Sequence, residues 1–256
     1  MGNSLNRNSH KPANNYEEIY EINENEKERR HLAHNILREI FGGNFSAPVR
    51  NILRTRRARV LEVGCGPGTW VLEMSSDYRG NSFIGLDMLS MFPETKPYCV
   101  EFVVGDVLKG LSYPDETFDY VFMRFLCIEF SEVQWKNYVI PELIRVLKPN
   151  GWLELMEADL NIGSGGPETT RFFNIVSAFQ SKGISPSVVF RLPEFMQEIG
   201  LENVQTVRRY FPLGRSWGGR LGECGEEYLR ESLAKPLEKF GKALNVKSKD
   251  RERMLE

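Results

Sequence analysis

Between residues 57 and 157 the chain alternates between short unbroken apolar runs and longer stretches with helical spacing. RARVLEV (57–63), NSFIGLD (81–87), VEFVVGD (100–106), FDYVFMRF (118–125) and GWLELME (151–157) predict five strands. TWVLEMSSDY (69–78) and VQWKNYVIPELIRVL (133–147) predict helices between them. Continuous apolar runs suit strands buried on both sides, as in a parallel sheet covered by helices. Strands that alternate with helices need crossover connections, so the pattern implies an α/β fold with a mostly parallel sheet.

Outside this stretch the signals are more varied. Leu32, Ala33, Ile36, Leu37 and Ile40 follow helical spacing and Gly42-Gly43 stops the run, which predicts a helix over residues 16–41. Further helices are expected over 168–182 and 192–200. ENVQTVRRYFPLG (202–214) alternates enough to predict a strand or hairpin at the sheet edge. From about Gly225 onward the chain is charged and helical in character. Residues 1–14 are polar and are expected to be disordered, because they bury too little to offset their ordering entropy. The expected division is a tail at 1–14, a helical lid at 15–45, the main domain at 46–215 and a helical segment at 216–256.

Composition narrows the function classes. A chain of 256 residues, 41% hydrophobic, is enough to bury the core of one large domain, or of one domain with an appended lobe. A net charge of −2 gives no general attraction to nucleic acid or acidic membranes, and no apolar run approaches the roughly 20 residues that span a bilayer. RNILRTRRAR (50–59) lacks interleaved aromatics and reads as a solvated surface. The polar N-terminus is no secretory signal, and Asn6 stands where a myristoylation signal carries Ser or Thr. The four cysteines are scattered without a CxxC pair, which fits a reducing compartment, cytoplasm or nucleus. All three histidines (His10, His31, His34) lie in the first 34 residues, so the rest of the chain lacks the commonest transition-metal ligand and no metal is expected.

The chemistry concentrates in VLEVGCGPGTW (60–70). Glycine at Gly64, Gly66 and Gly68 lets a ligand approach the main chain closely at the end of the first strand. A dinucleotide loop would read G-x-G-x-x-G, but Thr69 holds the sixth position, and Pro67 removes an N–H that a phosphate would use. No GK[ST] follows, so the loop suits a nucleoside without phosphates. Asp87, ending the second strand, can accept from both ribose hydroxyls. Asp106, ending the third, can accept from an adenine amino group with the Val107 N–H left for a ring nitrogen; the alternative is a turn or helix cap. Glu62 can face an ammonium group. Ribose, adenine and ammonium together describe S-adenosylmethionine.

RVLEVGCGPGTW, FIGLDM, VVGDV, FDYVFMRF and RVLKPNGWLELME together resemble the class I S-adenosylmethionine-dependent methyltransferases, and more closely the LaeA/UmtA-like fungal type. That family carries Glu, Arg and His on an N-terminal helix, matched by Glu26, Arg29 and His34. Its aromatic after the glycine loop is matched by Trp70, its arginine after the fourth strand by Arg124, its E-x-x-E by Glu154 and Glu157, and its P-x-G-x-x-W by Pro212, Gly214 and Trp217. The resemblance covers about residues 15–235. It implies a Rossmann-like, doubly wound, mostly parallel seven-stranded sheet with helices on both faces, an N-terminal helical lid and a C-terminal helical segment. It makes residues 46–215 the S-adenosylmethionine-binding domain. The implied donor site is Glu62, Gly64, Cys65, Gly66, Gly68, Trp70, Asp87, Met88, Asp106, Val107 and Arg124. Two departures stand out: Asn150 occupies a position where the family has glycine, and the family's last segment is short or missing after residue 256.

The resulting expectation is methyl transfer to a small-molecule or protein acceptor, with S-adenosylmethionine as cosubstrate and no metal. The alternative is a donor-binding regulatory scaffold whose partners are proteins. Neither a membrane nor a nucleic-acid partner is expected. Should the acceptor have to lose a proton, Glu157 is the expected catalytic base, with Glu129 and His34 behind it. Arg124 either orients an acidic acceptor or sits in a structural ion pair.

Overall fold

The computed structural model describes residues 22–159, 183, 185, 187–243 and 247–249. Residues 1–21, which include the expected tail and the start of the first helix, lie outside the described residues, as do the helix expected at 168–182 and the final residues 250–256. The described chain opens with α1 (Glu24–Phe41), capped by Asn23, whose side chain accepts from the Glu26 N–H, and closed by left-handed Gly42. A short α2 (Arg50–Arg54) follows.

Five strands form one sheet: β1 (Arg59–Val63), β2 (Ser82–Asp87), β3 (Val100–Val104), β4 (Phe118–Arg124) and β5 (Leu147–Met156). All four pairings are parallel, and the order is β3-β2-β1-β4-β5. The chain therefore winds outward from β1 through β2 to β3, then returns to start the other half beside β1. The strand order reverses between β1 and β4, and ligands of open α/β sheets bind at the carboxyl ends beside such a reversal.

The period of two along each strand sorts the core into two layers. Leu61, Val63, Ile84, Leu86, Val121 and Met123 face one layer, which α5 (Ile140–Val146) and α6 (Leu192–Glu198) cover with Leu143, Leu192 and Phe195. Val60, Phe83, Tyr120 and Phe122 face the other, covered by Leu37 of α1, Leu53 of α2 and Val71 and Met74 of α3 (Thr69–Asp77). The same alternation puts Glu62, Asp87 and Arg124 on the second face, beneath α1 and α3.

The expected helix at 133–147 is present in three pieces. Ser131 and Gln134 form a capping box at α4 (Glu132–Gln134), Trp135–Val139 is a π-helical turn, and α5 resumes. Pro141 sits in the first turn of α5, and the π-turn accommodates the hydrogen bond a proline cannot donate. Asn150 takes the left-handed conformation with φ 62°, so it serves in the turn where glycine was the family's residue.

Residues 202–214 correct one expectation: they form no strand, and the sheet has five strands among the described residues rather than seven. The apolar residues Val204, Val207 and Tyr210 recur every third position, so they cannot share one face of a strand, and Tyr210 is 97% exposed. The C-terminal helix also starts earlier than its sequence signal. α7 (Arg215–Ala243) is two helices joined at a kink at Gly219, and it packs against α1.

Candidate active site

The glycine loop joins β1 to α3 at the strand-order reversal. The Gly64 and Cys65 N–H groups both donate to the Leu86 carbonyl at 2.7 and 3.0 Å, and the Gly66 N–H donates to Asp87 Oδ2 at 2.8 Å. Gly66 has φ 55°, and a Cβ there would lie 2.7 Å from the Arg30 guanidinium, which covers the loop from α1. Gly68 has φ 78°, and a Cβ there would lie 2.4 Å from the Phe102 ring. The sequence therefore carries glycine where both backbone conformation and close approach require it.

Around the loop, the expected donor-site residues fall into separate groups. Asp87 accepts from Gly66 N–H and, through Oδ1, from Leu89 N–H at 2.9 Å, while Arg30 stands 3.8 Å from Oδ2. Each oxygen keeps a lone pair for a ribose hydroxyl. Met88 follows it, half-buried. Asp106 does cap a turn: Oδ1 accepts from Leu108 N–H at 2.9 Å and Oδ2 pairs with Lys109 at 3.2 Å, with Val107 buried beside it. Cys65 is buried beneath the loop, and burial pushes its thiol well above the usual range, so it stays neutral. Trp70 lies apart from these residues. Its ring stacks on Phe122 at 4.3 Å in the second core layer and its N–H donates to the Asn44 carbonyl. The aromatic after the loop is thus a packing residue of α3, because the helix turns its first residues toward the sheet.

Glu62 is fully buried, and neither carboxylate oxygen accepts an aligned hydrogen bond. Its polar neighbours are Arg124, whose Nε lies 3.2 Å from Oε1, and the Val71 N–H. Orphaned oxygens at the strand tip beside a glycine cradle fit the ammonium of the expected donor, and no phosphate-binding element stands in the way. Arg124 in turn donates to His34 Nδ1 at 3.0 Å, and His34 Nε2 lies 2.7 Å from Glu73. Arginine has no acceptor, so the His34 proton sits on Nε2 and points at Glu73. Burial, then Arg124, lowers the His34 pKa to about 4, which keeps the ring neutral. This chain Glu73–His34–Arg124–Glu62 runs from α3 through α1 to the sheet. The sequence showed His34 and Arg124 singly but not their contact.

On α1, Glu26 holds Arg29 at 2.6 Å and Arg30 at 2.9 Å, the neighbours three and four positions on. His34 lies one turn beyond Arg30 on the same side of α1 and joins Arg124 and Glu73 instead, so the Glu–Arg–His set of the sequence splits into two clusters along the helix. Pro212, Gly214 and Trp217 lie at the start of α7, where Gly218 abuts Pro212 and Trp217 is exposed, away from the loop.

Glu157, expected as a base, has a different set of contacts. Its carboxylate accepts from Leu126 N–H at 2.9 and 3.1 Å and from Cys127 N–H at 2.9 Å. These bonds hold the loop after β4, whose first residue Phe125 has φ 56°, a conformation bulky side chains rarely adopt. Glu154 is likewise engaged, by the Ser46 and Ala47 N–H groups and the Tyr120 hydroxyl. Glu157→Ala should therefore destabilise the protein by about 1–3 kcal/mol. It should also speed hydrogen exchange at Leu126 and Cys127; unchanged exchange there would show that the carboxylate does not hold the loop.

Three acids, Glu62 fully buried and Glu129 and Glu157 half-buried, set the response to pH. Burial raises Glu62 to about 7, Glu129 to about 7 and Glu157 to about 8. A carboxyl raised in the folded state favours folding below its unfolded pKa and loses that contribution as pH climbs through the folded value. Lowered His34 acts oppositely, but only between about 4 and 6.5. Stability of the ligand-free protein should therefore fall from pH 6.5 to about pH 8. Thermal melts across that window measure it, and a Tm that rises contradicts the assignment.

A cavity of about 1690 Å³ opens from the glycine loop along β5. Near the loop it is lined by Arg30, His34, Leu126, Ile128, Glu129 and Tyr228. Among the described residues no helix is long and apolar enough to cross a membrane.

Residues 60–151 match a model of the methyltransferase domain. The N-methyltransferase verN of Clonostachys rogersoniana is 30% identical over 223 residues, 83% of this chain and 75% of that protein. The chain belongs to the S-adenosylmethionine-dependent methyltransferases of the fungal LaeA and related type. The secondary metabolism regulator laeA of Coprinopsis cinerea is 30% identical over 151 residues, but these cover 56% of this methyltransferase and 37% of the regulator. The crystal structure of CalO1, a methyltransferase in calicheamicin biosynthesis with SAH bound, superposes with TM-score 0.52 at 17% identity. That match covers 72% of this chain and 52% of CalO1, so the chain spans about half the length of that structure and the likeness speaks for the fold.

Proposed function

We propose that this methyltransferase transfers the methyl group of S-adenosylmethionine to a small, largely apolar acceptor held in the cavity between α1, the loop after β4 and α7. The observation that carries the reading is the set of Glu62, Asp87 and the Gly64–Gly68 loop at adjacent strand tips, with Gly64, Cys65, Gly66 and Pro67 lining that cavity. Glu62 would hold the donor's ammonium, Asp87 its ribose, and Asp106 with the Val107 N–H its adenine. In this reading α1 is the lid: Arg30 lies over the glycine loop and His34 ties the helix to Arg124. Donor binding supplies an electrophilic methyl group. The protein's task is then to hold the acceptor atom about 3 Å from it and to exclude water; positioning of this kind is worth about 7–11 kcal/mol. The free cysteines fit the cytoplasm or the nucleus.

Calorimetric titration with S-adenosylhomocysteine, followed by labelled-donor transfer to small-molecule and protein panels, tests the proposal. Well-folded protein without affinity for the product sinks it. The second reading, a donor-binding regulator with protein partners, draws on the regulator laeA among the relatives. It predicts tight donor binding with no acceptor labelled.

A further inference from the structure

Most acids near the glycine loop already have work. Glu26 holds Arg29 and Arg30, Glu62 faces Arg124, and Glu157 accepts backbone N–H groups. Glu129 lines the same end of the cavity, and its carboxylate has no hydrogen bond and no ion pair among the described residues. Its backbone is fixed by a turn in which its N–H donates to the Leu126 carbonyl at 3.0 Å, on the loop that Glu157 anchors.

The groups that face it come from every side. α1 brings Glu26, Arg29 and Arg30, and β2 brings Asp87. Glu157 stands behind the loop and Cys127, held neutral by burial, lies on it. Both arginines are engaged by Glu26, and Arg30 also faces Asp87. The cavity that Glu129 lines also carries aromatic rings: Phe125 lies 6.1 Å and Phe211 6.0 Å from the Tyr228 ring, and Arg29 lies over that ring at 5.7 Å. A carboxylate without a hydrogen bond and ring faces in one cavity recognise a cation, through opposite charge and through the ring quadrupoles. A neutral hydroxyl gains less from either.

Resting on the methyltransferase reading above, we propose that Glu129 is the acceptor-binding carboxylate and that the acceptor is a small amine with an apolar or aromatic body. Glu129 receives the ammonium form and takes one proton from its nitrogen. The freed nitrogen lone pair attacks the methyl carbon, the C–N bond forms, and the S–C bond breaks with its electron pair left on sulfur as a neutral thioether. The positive charge passes from sulfur to the methylated nitrogen, and Glu129 returns its proton to solvent after release. Burial raises Glu129 to about 7, so the ionised form that can take the proton accumulates as pH climbs through neutrality.

The test uses the full chain, wild type and Glu129→Gln. Calorimetry with S-adenosylhomocysteine comes first. Equal affinity within about twofold is expected, since the residue serves the acceptor; a loss of about tenfold or more would put Glu129 on the donor's ammonium and overturn the assignment. Labelled donor is then offered with 2-phenylethylamine and tryptamine and with their alcohols, 2-phenylethanol and tryptophol. The label should enter nitrogen, with rates on the amines at least about tenfold above the alcohols. At pH 8 Glu129→Gln should lower kcat/KM on the amine by about a hundredfold, and its rate should keep climbing toward the amine's own pKa of about 10, where the wild-type rate levels off above about pH 7. Transfer to oxygen at equal rate, transfer to no amine, or an unchanged pH profile in the variant overturns the proposal. Wild-type protein that binds no S-adenosylhomocysteine is a separate failure, which removes the donor site itself.

Discussion

Asp87→Ala should weaken binding of S-adenosylhomocysteine by about 10²- to 10³-fold. On the proposed pose the carboxylate accepts from two ribose hydroxyls, and each hydrogen bond to a charged acceptor contributes about 1.5–3 kcal/mol. Two such bonds at the lower end amount to about 3 kcal/mol, already more than a hundredfold. The substitution also frees the Gly66 and Leu89 N–H groups that Asp87 now satisfies, so the glycine loop loses the acceptor that shapes it. Asp87→Asn is the control: its amide oxygen keeps one acceptor, and the affinity should fall by less. Calorimetry measures both, with a thermal melt to show that the sheet persists. An alanine variant that binds the product as tightly as wild type would mean that the ribose lies elsewhere.

Removing Arg124 should have the largest effect on stability. Glu62 is buried without an aligned hydrogen bond, and Arg124 is its one ion-pair partner. At pH 8 the stranded Glu62 carboxylate can take up a proton at a cost of about 1.4 kcal/mol, since it titrates at about 7, and His34 Nδ1 loses its donor at a further cost of about 1–3 kcal/mol. For a domain of this size each kcal/mol moves Tm by about 2–4 °C, so Arg124→Met should lower Tm by about 5–18 °C. The loss should depend on pH. Glu62 titrates at about 7 in the intact protein, so below that value the carboxyl is largely neutral and the missing arginine matters less. The deficit should be larger at pH 8 than at pH 6. Glu62→Gln combined with Arg124→Met should recover the part that comes from the buried charge, and with it the pH dependence of the deficit. A single variant with an unchanged Tm at pH 8 would show that the two residues are not coupled. His34 also loses its donor in this variant, so α1 should exchange its amide hydrogens faster.

The five core strands, the glycine loop and the acids at the strand tips were legible because each rests on local chemistry. An apolar run of five or six residues between turn residues, a glycine at a left-handed position and an acid at a strand end need no distant partner to be read. Two residues have contacts that this reading did not show. Trp70 followed the loop as an aromatic should, but α3 turns its indole into the core against Phe122. Glu157 ended its strand as a base might, but its lone pairs hold the Leu126 and Cys127 N–H groups, and neither residue is near it in sequence. The segment 202–214 failed for a different reason. Its apolar spacing of three was masked by a general scatter of β-branched residues.

The amino-acid order by itself determined that this chain folds as an α/β methyltransferase with a glycine loop after its first strand. The periods of hydrophobicity and the conformational needs of glycine act over a few residues, so sequence carries them. Only the tertiary structure decided which side chains meet. It joined Glu73, His34, Arg124 and Glu62 across three elements, engaged Glu154 and Glu157 with backbone, and left Glu129 without a hydrogen bond in a cavity that aromatic rings also line. Burial and partner choice depend on which distant segments pack together, and they decide whether a carboxylate is a strut or a free reagent.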